Sequence, residues 1–271
     1  MKKITIIGDS FGCGEWQTKD SVFLDGDFYY REPIWGFDQN YVETHPGLEH
    51  FLDKDGNACH NISSGGASNI NQLKRLASSL MIDHPRHEEP RFLNPDFIIW
   101  FFTEPLRDYP PINGDTPMHH NMGDVIDEIL TRIKSHNHDI YKINDELIKI
   151  SMEFAQKIYD ATKIPFIIVE SLGNTKDIEK EFSFCKYKID NWIGNIFDGH
   201  KLPILLSTRV IKELNDKTIS GIGYETIQKL LLDAERFWVL LKGRKDFPDG
   251  GHPDRNLHEG LFNKIKGLIT E

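Results

Sequence analysis

The stretch KITIIGDSFGCG, residues 3–14, decides how this chain begins to fold. Its first five residues are mostly β-branched and apolar, which is typical of a buried strand. The apolar run stops at Gly8, and Asp9 and Ser10 follow where the strand must turn into the next element. A serine at such a turn can expose its hydroxyl near backbone N–H groups, which stabilise an oxyanion.

Similar buried strands recur along the chain and alternate with helical patterns. Further strands are predicted at residues 58–62, 96–102, 164–169 and 203–206, the last of them weaker. Apolar residues spaced three or four apart predict helices near residues 70–80, 125–133, 147–158, 227–237 and 257–268. This alternation indicates an α/β fold with a mostly parallel sheet covered on both faces. Ligands bind beyond the carboxyl ends of such strands, so the residues that follow each strand are the candidates for function.

Three segments fit the alternation poorly, because they are aromatic, contain Pro and Gly, and are long for simple connections: residues 17–56, 104–122 and 171–202. We predict that they are insertions around the entrance of the site. No Pro/Gly/Ser-rich linker, low-complexity tract or internal repeat is present, and 271 residues suffice for one large core. We therefore expect a single domain over residues 1–271.

Charge and cysteine content narrow the class of protein. The formal net charge is −10 and the sequence has no dense block of Lys and Arg, which disfavours nucleic acid and anionic membranes as partners. The chain has an odd number of cysteines, and they are widely spaced: Cys13, Cys59 and Cys185. This pattern favours a reducing compartment over a disulfide framework. The apolar runs are too short for a signal peptide or a membrane span. We therefore expect a cytoplasmic protein.

Two motifs follow the first two predicted strands. GDSFG, residues 8–12, formally matches the G-x-S-x-G nucleophile elbow, but an elbow comes after several strands and only one precedes Ser10. The segment NISSGGASN, residues 61–69, has small residues that allow close backbone approach to a ligand. The alternatives are purely structural: a glycine-rich turn with an ordinary serine, and a helix cap at Ser68 or Asn69.

A third motif, DGGHP at residues 249–253, precedes the last predicted helix. His252 is a candidate general base at neutral pH. Asp249, three residues earlier in a turn, can reach back and fix the tautomer of the imidazole. The alternative is an Asp-Gly turn with a surface histidine.

The joint order of the three motifs resembles the SGNH (GDSL-like) hydrolases, over nearly the whole chain. The sequence GDSFGCGEW is most similar to that of divergent, phage-associated members. The resemblance implies a three-layer α/β/α sandwich and cofactor-free hydrolysis of esters or thioesters, including sugar deacetylation. It also implies that Ser10 is the nucleophile and first oxyanion donor, that Gly66 is the second donor, and that Asp249 and His252 complete the triad.

One departure from the family lies after the third strand, where the family carries G-x-N-D and its Asn donates to the oxyanion. This chain has Thr103-Glu104-Pro105-Leu106-Arg107 there instead. We expect Thr103 to donate its hydroxyl hydrogen to the oxyanion, with Asn69 also at the substrate site. Glu104 would repel an oxyanion unless it is held away or paired with Arg107. Arg107 itself can neutralise Glu104 or bind a substrate carboxylate.

Other candidates are weaker. Cys13 is an alternative thiol nucleophile without a histidine placed for it. The pairs His84/His87, His119/His120 and His136/His138 lack partners at ligand spacing, so we expect no metal site. Gly12-x-Gly14 lacks the third glycine of a dinucleotide fingerprint. Trp16, Trp35 and Trp192 suit either a carbohydrate groove or core packing.

The sequence therefore predicts a serine esterase that uses neither metal nor cofactor and acts on a small-molecule or glycan ester, with acetylated glycans preferred from the family resemblance alone. Two alternatives remain open. One is a non-catalytic binding module that keeps the fold, and the other is an acyltransferase that uses the same covalent intermediate. The sequence does not indicate an oligomeric state.

Overall fold

A computed structural model describes residues 1–16, 29–30, 43–45, 47–80, 94–108, 140–193, 244–247 and 252–270. The strands are, in chain order, β1 (Lys3–Ile7), β2 (Glu15–Trp16), β3 (Tyr29–Tyr30), β4 (Glu43–His45), β5 (Ala58–Asn61), β6 (Phe97–Phe102), β7 (Phe166–Glu170) and β8 (Cys185–Ile189). The helices are α1 (Leu48–Lys54), α2 (Asn69–Leu80), α3 (Ile140–Thr162) and α4 (Arg255–Thr270), with short 3-10 segments at Pro105–Asp108 and Ile178–Glu181.

Five of these strands form a parallel sheet in the order β5-β1-β6-β7-β8. β1 pairs on both sides, so that Ile4 lies opposite Cys59 of β5 and opposite Phe97 of β6. The short strands β2, β3 and β4 form a separate antiparallel sheet with β4 in the middle. The predicted fold class, α/β with a parallel sheet of five strands, is confirmed.

Helices cover both faces of the parallel sheet, because side chains of the three central strands, β1, β6 and β7, alternate between two hydrophobic cores. In β6, Phe97, Ile99 and Phe101 pack in the core that includes α1 and α4, whereas Ile98, Trp100 and Phe102 pack in the core that includes α2 and α3. Every residue of β6 is buried, as expected for a strand covered on both faces. The result is the predicted three-layer α/β/α arrangement.

The fifth strand is β8, which lies inside the 171–202 segment that the sequence analysis assigned to an insertion. That assignment was wrong for residues 185–189 because the strand is not continuously apolar. Cys185, Tyr187 and Ile189 alternate with Lys186 and Lys188, a pattern that suits a strand at the edge of a sheet. The weaker candidate at residues 203–206 and the helices predicted near 125–133 and 227–237 lie outside the described residues.

The connections that follow β1 and β6 leave on opposite faces of the parallel sheet. After β1 the chain passes to α1 on one face of the sheet, whereas after β6 it enters the Pro105–Asp108 segment, which packs against α2 and α3 on the other face. In open α/β sheets, ligands bind at the carboxyl edge where neighbouring connections diverge in this way. None of the helices in the described ranges combines the length and apolar character needed to cross a lipid bilayer.

Candidate active site

The turn after β1 places Ser10 at the carboxyl edge of the sheet. The main chain closes on itself there, with the Gly12 N–H donating to the Asp9 carbonyl (3.1 Å) and the Cys13 N–H to the Ser10 carbonyl (3.2 Å). Asp9 and Phe11 are buried, whereas Ser10 between them keeps part of its surface exposed. The buried neighbours anchor the turn while Ser10 stays accessible.

Two glycines let this turn lie closely against the rest of the site. A Cβ atom on Gly8 would come within 2.9 Å of Phe101 Cβ, and a Cβ atom on Gly12 would come within 2.6 Å of Ser63 Oγ. Larger residues at these positions would push the turn away from β6 or from the segment after β5. The glycines of GDSFG therefore serve close packing.

Asp9 is the centre of a buried polar network beside Ser10, a role that the sequence analysis did not assign. Its fully buried carboxylate accepts hydrogen bonds from the Phe11 N–H (3.0 Å), the Thr103 hydroxyl (2.6 Å) and Arg107 Nη1 (3.3 Å). These donors offset the cost of removing the carboxylate from water. The only sequence signal for this role was an acidic residue placed directly after a buried strand.

Thr103 does not have the geometry predicted for an oxyanion donor. Its side chain is fully buried, and its hydroxyl donates to Asp9 Oδ2 at 2.6 Å. A hydroxyl carries one hydrogen, so the bond to Asp9 takes the hydrogen that the prediction assigned to the oxyanion. In this structure Thr103 supports the Asp9 carboxylate instead.

The predicted pairing of Arg107 with Glu104 is confirmed, because Arg107 Nε donates to Glu104 Oε2 at 2.7 Å. The same guanidinium donates to Asp9. Burial acts to lower the pKa of Arg107, but the carboxylates of Glu104 and Asp9 outweigh burial and raise it. Arg107 brings one positive charge to two carboxylates, so it compensates part of the negative charge of the network. The alternative role, binding a substrate carboxylate, has no support in this arrangement.

The segment after β5 lies beside the Ser10 turn, because the Ser64 N–H donates to the Gly8 carbonyl at 2.9 Å. A second turn follows, closed by the Ala67 N–H donating to the Ser64 carbonyl at 3.0 Å. Gly66 occupies the left-handed position of this turn, with φ of 72°, and is exposed. The predicted second oxyanion donor is therefore an accessible glycine in a segment bonded to the Ser10 turn.

Asn69 is fully buried and joins the start of α2 to the end of β6. Its Nδ2 donates to the Thr103 carbonyl at 2.8 Å, and its Oδ1 accepts from the Thr103 N–H at 2.9 Å. The amide is thus engaged with the main chain, and the predicted role at the substrate has no support in this geometry. Ser68 provides the helix cap, since its Oγ accepts from the Asn71 N–H at 3.3 Å.

Asp108 is a second buried carboxylate that the sequence analysis missed. It lies at the end of the Pro105–Asp108 segment and accepts the Ile70 N–H at 3.1 Å, so it caps α2 from another part of the chain. Burial raises its pKa to about 7, against hydrogen bonds from Ser68 and the α2 main chain and the charge of Lys74, which lower it. The sequence offered no signal for this role, because the carboxylate and the helix are distant in sequence.

His252 is brought to the Ser10 turn from the far end of the chain. Its ring lies against Phe11, the residue after Ser10, with 5.8 Å between ring centroids. Trp192 and Phe247 pack on the same Phe11 ring, at 6.4 Å and 6.3 Å. Side chains from separate parts of the chain, among them His252, therefore gather around the residue that follows Ser10. Asp249, its predicted partner, lies outside the described residues.

The neighbouring described acids do not stand in for Asp249. Asp246 accepts Arg244 Nε at 2.8 Å, and Asp254 Oδ1 accepts the Leu257 N–H at 2.9 Å, which caps α4. A second histidine, His258, is fully buried, and burial lowers its pKa to about 3. Being neutral and inaccessible, His258 does not compete with His252 as a general base.

The remaining candidates from the sequence either pack in the interior or lie outside the described residues. Cys13 is buried, with its Sγ 3.4 Å from the Asp9 carbonyl, which makes it a poor nucleophile. Trp192 is buried and stacks edge-on with Phe101 at 5.1 Å, so its packing role is confirmed.

Within the described ranges, no three His, Cys, Asp or Glu side chains converge as metal ligands do. Some candidates lie outside the residues that the structure describes: Trp35, His84, His87, His119, His120, His136, His138 and the side chain of Trp16.

Comparisons with known proteins add little to this geometry. No family model matches the chain, and no curated protein sequence matches it. Among solved structures, the chain is similar to the psychrotrophic esterase EstA from Pseudoalteromonas sp., inhibited by monoethylphosphonate, with 13% sequence identity, a TM-score of 0.39 and coverage of 100% of both chains. A likeness this low assigns neither family nor activity.

Proposed function

We propose that this protein is a serine hydrolase of ester bonds, with Ser10 as nucleophile and His252 as general base. The observation that carries the proposal is the position of His252 against Phe11, next to a partly exposed Ser10 at the carboxyl edge of the sheet. This contact supports placing the proposed nucleophile and the proposed base at the same edge of the sheet, where α/β folds bind ligands.

In the proposed reaction, Ser10 Oγ attacks the acyl carbonyl carbon as His252 takes the hydroxyl proton. The tetrahedral oxyanion is held by the backbone N–H groups of Ser10 and Gly66. Its collapse expels the alcohol, which takes the proton from His252 and leaves an acyl-enzyme. Water then attacks this ester as His252 takes a proton from the water. The second tetrahedral intermediate collapses, the acid leaves, and His252 returns the proton to Ser10 Oγ. Asp249 is the proposed partner that orients His252.

The substrate class follows from the family resemblance alone, which favours acetyl esters of carbohydrates as the first compounds to assay. The chemistry requires no metal ion or cofactor. Activity is therefore expected to survive chelation with EDTA, and activity that disappears and returns with zinc would contradict this mechanism.

One observation favours a second function, a non-catalytic binding module. Because the Thr103 hydroxyl donates to Asp9, the proposed site has two backbone donors and lacks the third. A missing oxyanion donor costs about 3 kcal/mol of transition-state stabilisation, or at least a hundredfold in rate. A module that had lost catalysis would tolerate this loss, whereas an enzyme would turn over slowly.

Labelling with a fluorophosphonate probe separates the two functions. An esterase should form a covalent adduct at Ser10, located by mass spectrometry, and His252→Ala should label much more slowly. Cys13→Ala is the matched control, because Cys13 lies in the same turn but is buried. An unlabelled Ser10 in the folded chain would favour the non-catalytic module.

A further inference from the structure

The Asp9 carboxylate sits directly before the proposed nucleophile and is bonded on both oxygens. Oδ1 accepts the Phe11 N–H at 3.0 Å, and Oδ2 accepts the Thr103 hydroxyl at 2.6 Å and Arg107 Nη1 at 3.3 Å. One oxygen therefore shapes the Ser10 turn, and the other ties that turn to the residues that follow β6. The partly exposed Ser10 is thereby placed between two fixed neighbours, Asp9 and Phe11.

We propose that Asp9 and Thr103 are a positioning pair that holds the Ser10 turn in its reactive geometry. The inference rests on the proposed serine hydrolase function. Thr103 acts on Ser10 through Asp9 and does not contact the substrate. In this interpretation the residue after β6 contributes by stiffening the nucleophile turn, where the family has an amide that contacts the oxyanion.

The surroundings of Thr103 suit a residue that must point its hydroxyl in one direction. Its main-chain N–H and carbonyl are both bonded to the Asn69 side chain, at 2.9 Å and 2.8 Å. Its carbonyl also lies so close to Gly173 that a Cβ atom there would come within 2.1 Å of it. Because the main chain is held from two sides, the hydroxyl has little freedom to leave Asp9. A small displacement of a nucleophile costs up to about a hundredfold in rate, which makes such rigidity useful.

The chain contains a matched control for the Thr103–Asp9 bond. Thr175 is also fully buried, and its hydroxyl donates to the buried carboxylate of Glu170 at 2.7 Å, after the neighbouring strand β7. Thr175→Val and Thr103→Val therefore remove the same kind of hydrogen bond from the same edge of the sheet. Only Thr103→Val removes it from the turn that carries Ser10.

The test measures ester hydrolysis and hydrogen exchange of the Phe11 amide in both variants and in Thr103→Ser. We expect Thr103→Val to lower kcat by at least about tenfold with KM nearly unchanged, and to speed exchange of the Phe11 amide by about tenfold. Thr103→Ser should stay within about threefold of wild type and Thr175→Val within about twofold. Equal losses in the two Thr→Val variants, or unchanged Phe11 exchange in Thr103→Val, would overturn the positioning role.

An inactive wild-type chain and a Thr103→Val variant that does not fold are distinguishable outcomes. A wild-type chain that neither hydrolyses esters nor labels at Ser10 refutes the proposed function, and the Phe11 exchange then decides the positioning pair by itself. If Thr103→Val does not fold, Asp9→Asn replaces it, because the amide oxygen still accepts from Phe11 while the charge facing Arg107 is lost. Faster Phe11 exchange and a lower kcat in folded Asp9→Asn support the inference, and wild-type values for both contradict it.

Discussion

Two buried threonines donate to two buried carboxylates at the same edge of one sheet, yet only one pair lies at a candidate site. Thr103 donates to Asp9 after β6, and Thr175 donates to Glu170 after β7. In the first region, around Asp9 and Thr103, Arg107 forms ion pairs with two carboxylates. In the second region, around Glu170 and Thr175, Lys188 forms ion pairs with four carboxylates, of which Asp177 also pairs with Lys180: Glu170, Asp177, Glu179 and Asp190.

The comparison shows that local chemistry alone does not make a site. The connections that follow β1 and β6 leave on opposite faces of the sheet, which is the arrangement at which open α/β sheets bind ligands. The connection that follows β7 packs on the same face as the one that follows β6, since Ile178, Phe182 and Phe184 join the core with α2 and α3. Similar polar networks therefore serve different purposes, and strand order decides which of them borders a ligand.

The largest expected effect is the loss of ester hydrolysis when Ser10 is substituted. Ser10 lies next to Asp9 in the first region and has no counterpart in the second. Ser10→Ala and His252→Ala should each lower ester hydrolysis by about a thousandfold or more, and the double variant should be little worse because triad members act as a unit. Initial rates with p-nitrophenyl acetate measure this. Cys13→Ala should keep near-wild-type turnover. Near-wild-type turnover in Ser10→Ala would show that the nucleophile is misassigned.

The second prediction contrasts the two cations. Arg107→Met and Lys188→Met each leave buried carboxylates unpaired, so each should lower the free energy of unfolding by about 3–5 kcal/mol. Chemical denaturation measures both losses. Turnover per folded molecule should fall in Arg107→Met alone, because Arg107 is bonded to Asp9 beside Ser10. A similar fall in Lys188→Met would break the distinction between the regions.

The third prediction concerns pH. Burial raises the pKa of Asp108 in the first region to about 7, so the folded chain holds a proton that the unfolded chain releases near pH 4. The contribution of Asp108 to stability should therefore fall as pH rises from about 4 to 7, by about 4 kcal/mol. Thermal unfolding across this range should show a flatter profile for Asp108→Asn.

Asp177 in the second region provides the control with the opposite sign. Its hydrogen bond from Lys188 lowers its pKa, so its contribution is present above about pH 4 and is lost only as pH falls further. Asp177→Asn should leave the slope between pH 4 and 7 unchanged. An Asp108→Asn variant with the wild-type slope would show that another group causes it.

The smallest expected effect separates two glycines that share a backbone conformation. Gly66 and Gly56 have φ of 72° and 84°, and a Cβ atom on either would meet no other atom within 4 Å. Alanine at either position should cost about 1 kcal/mol of stability through backbone strain. Gly66→Ala should also lower kcat several-fold as the turn relaxes and its N–H moves, while Gly56→Ala should not. Equal kcat values would argue against Gly66 as an oxyanion donor.

Much of the fold could be predicted from the sequence, because continuous apolar runs and helical spacing report burial directly. β1, β6 and β7 were predictable in this way, and α3 was found although its ends were underestimated. β8 was missed because its alternating Lys residues concealed an edge strand. The placement of Ser10 after β1 and the pairing of Glu104 with Arg107, three residues apart, needed only local spacing.

The parts of the site that failed prediction depend on which distant groups meet. By itself, the sequence determined that a serine follows a buried strand and that a histidine precedes the last helix. Only the tertiary structure decided that His252 lies against Phe11 and that the single hydrogen of Thr103 goes to Asp9. A sequence pattern records burial and period along one segment, whereas the partner of a hydroxyl or an imidazole is chosen by distances between segments that the pattern does not contain.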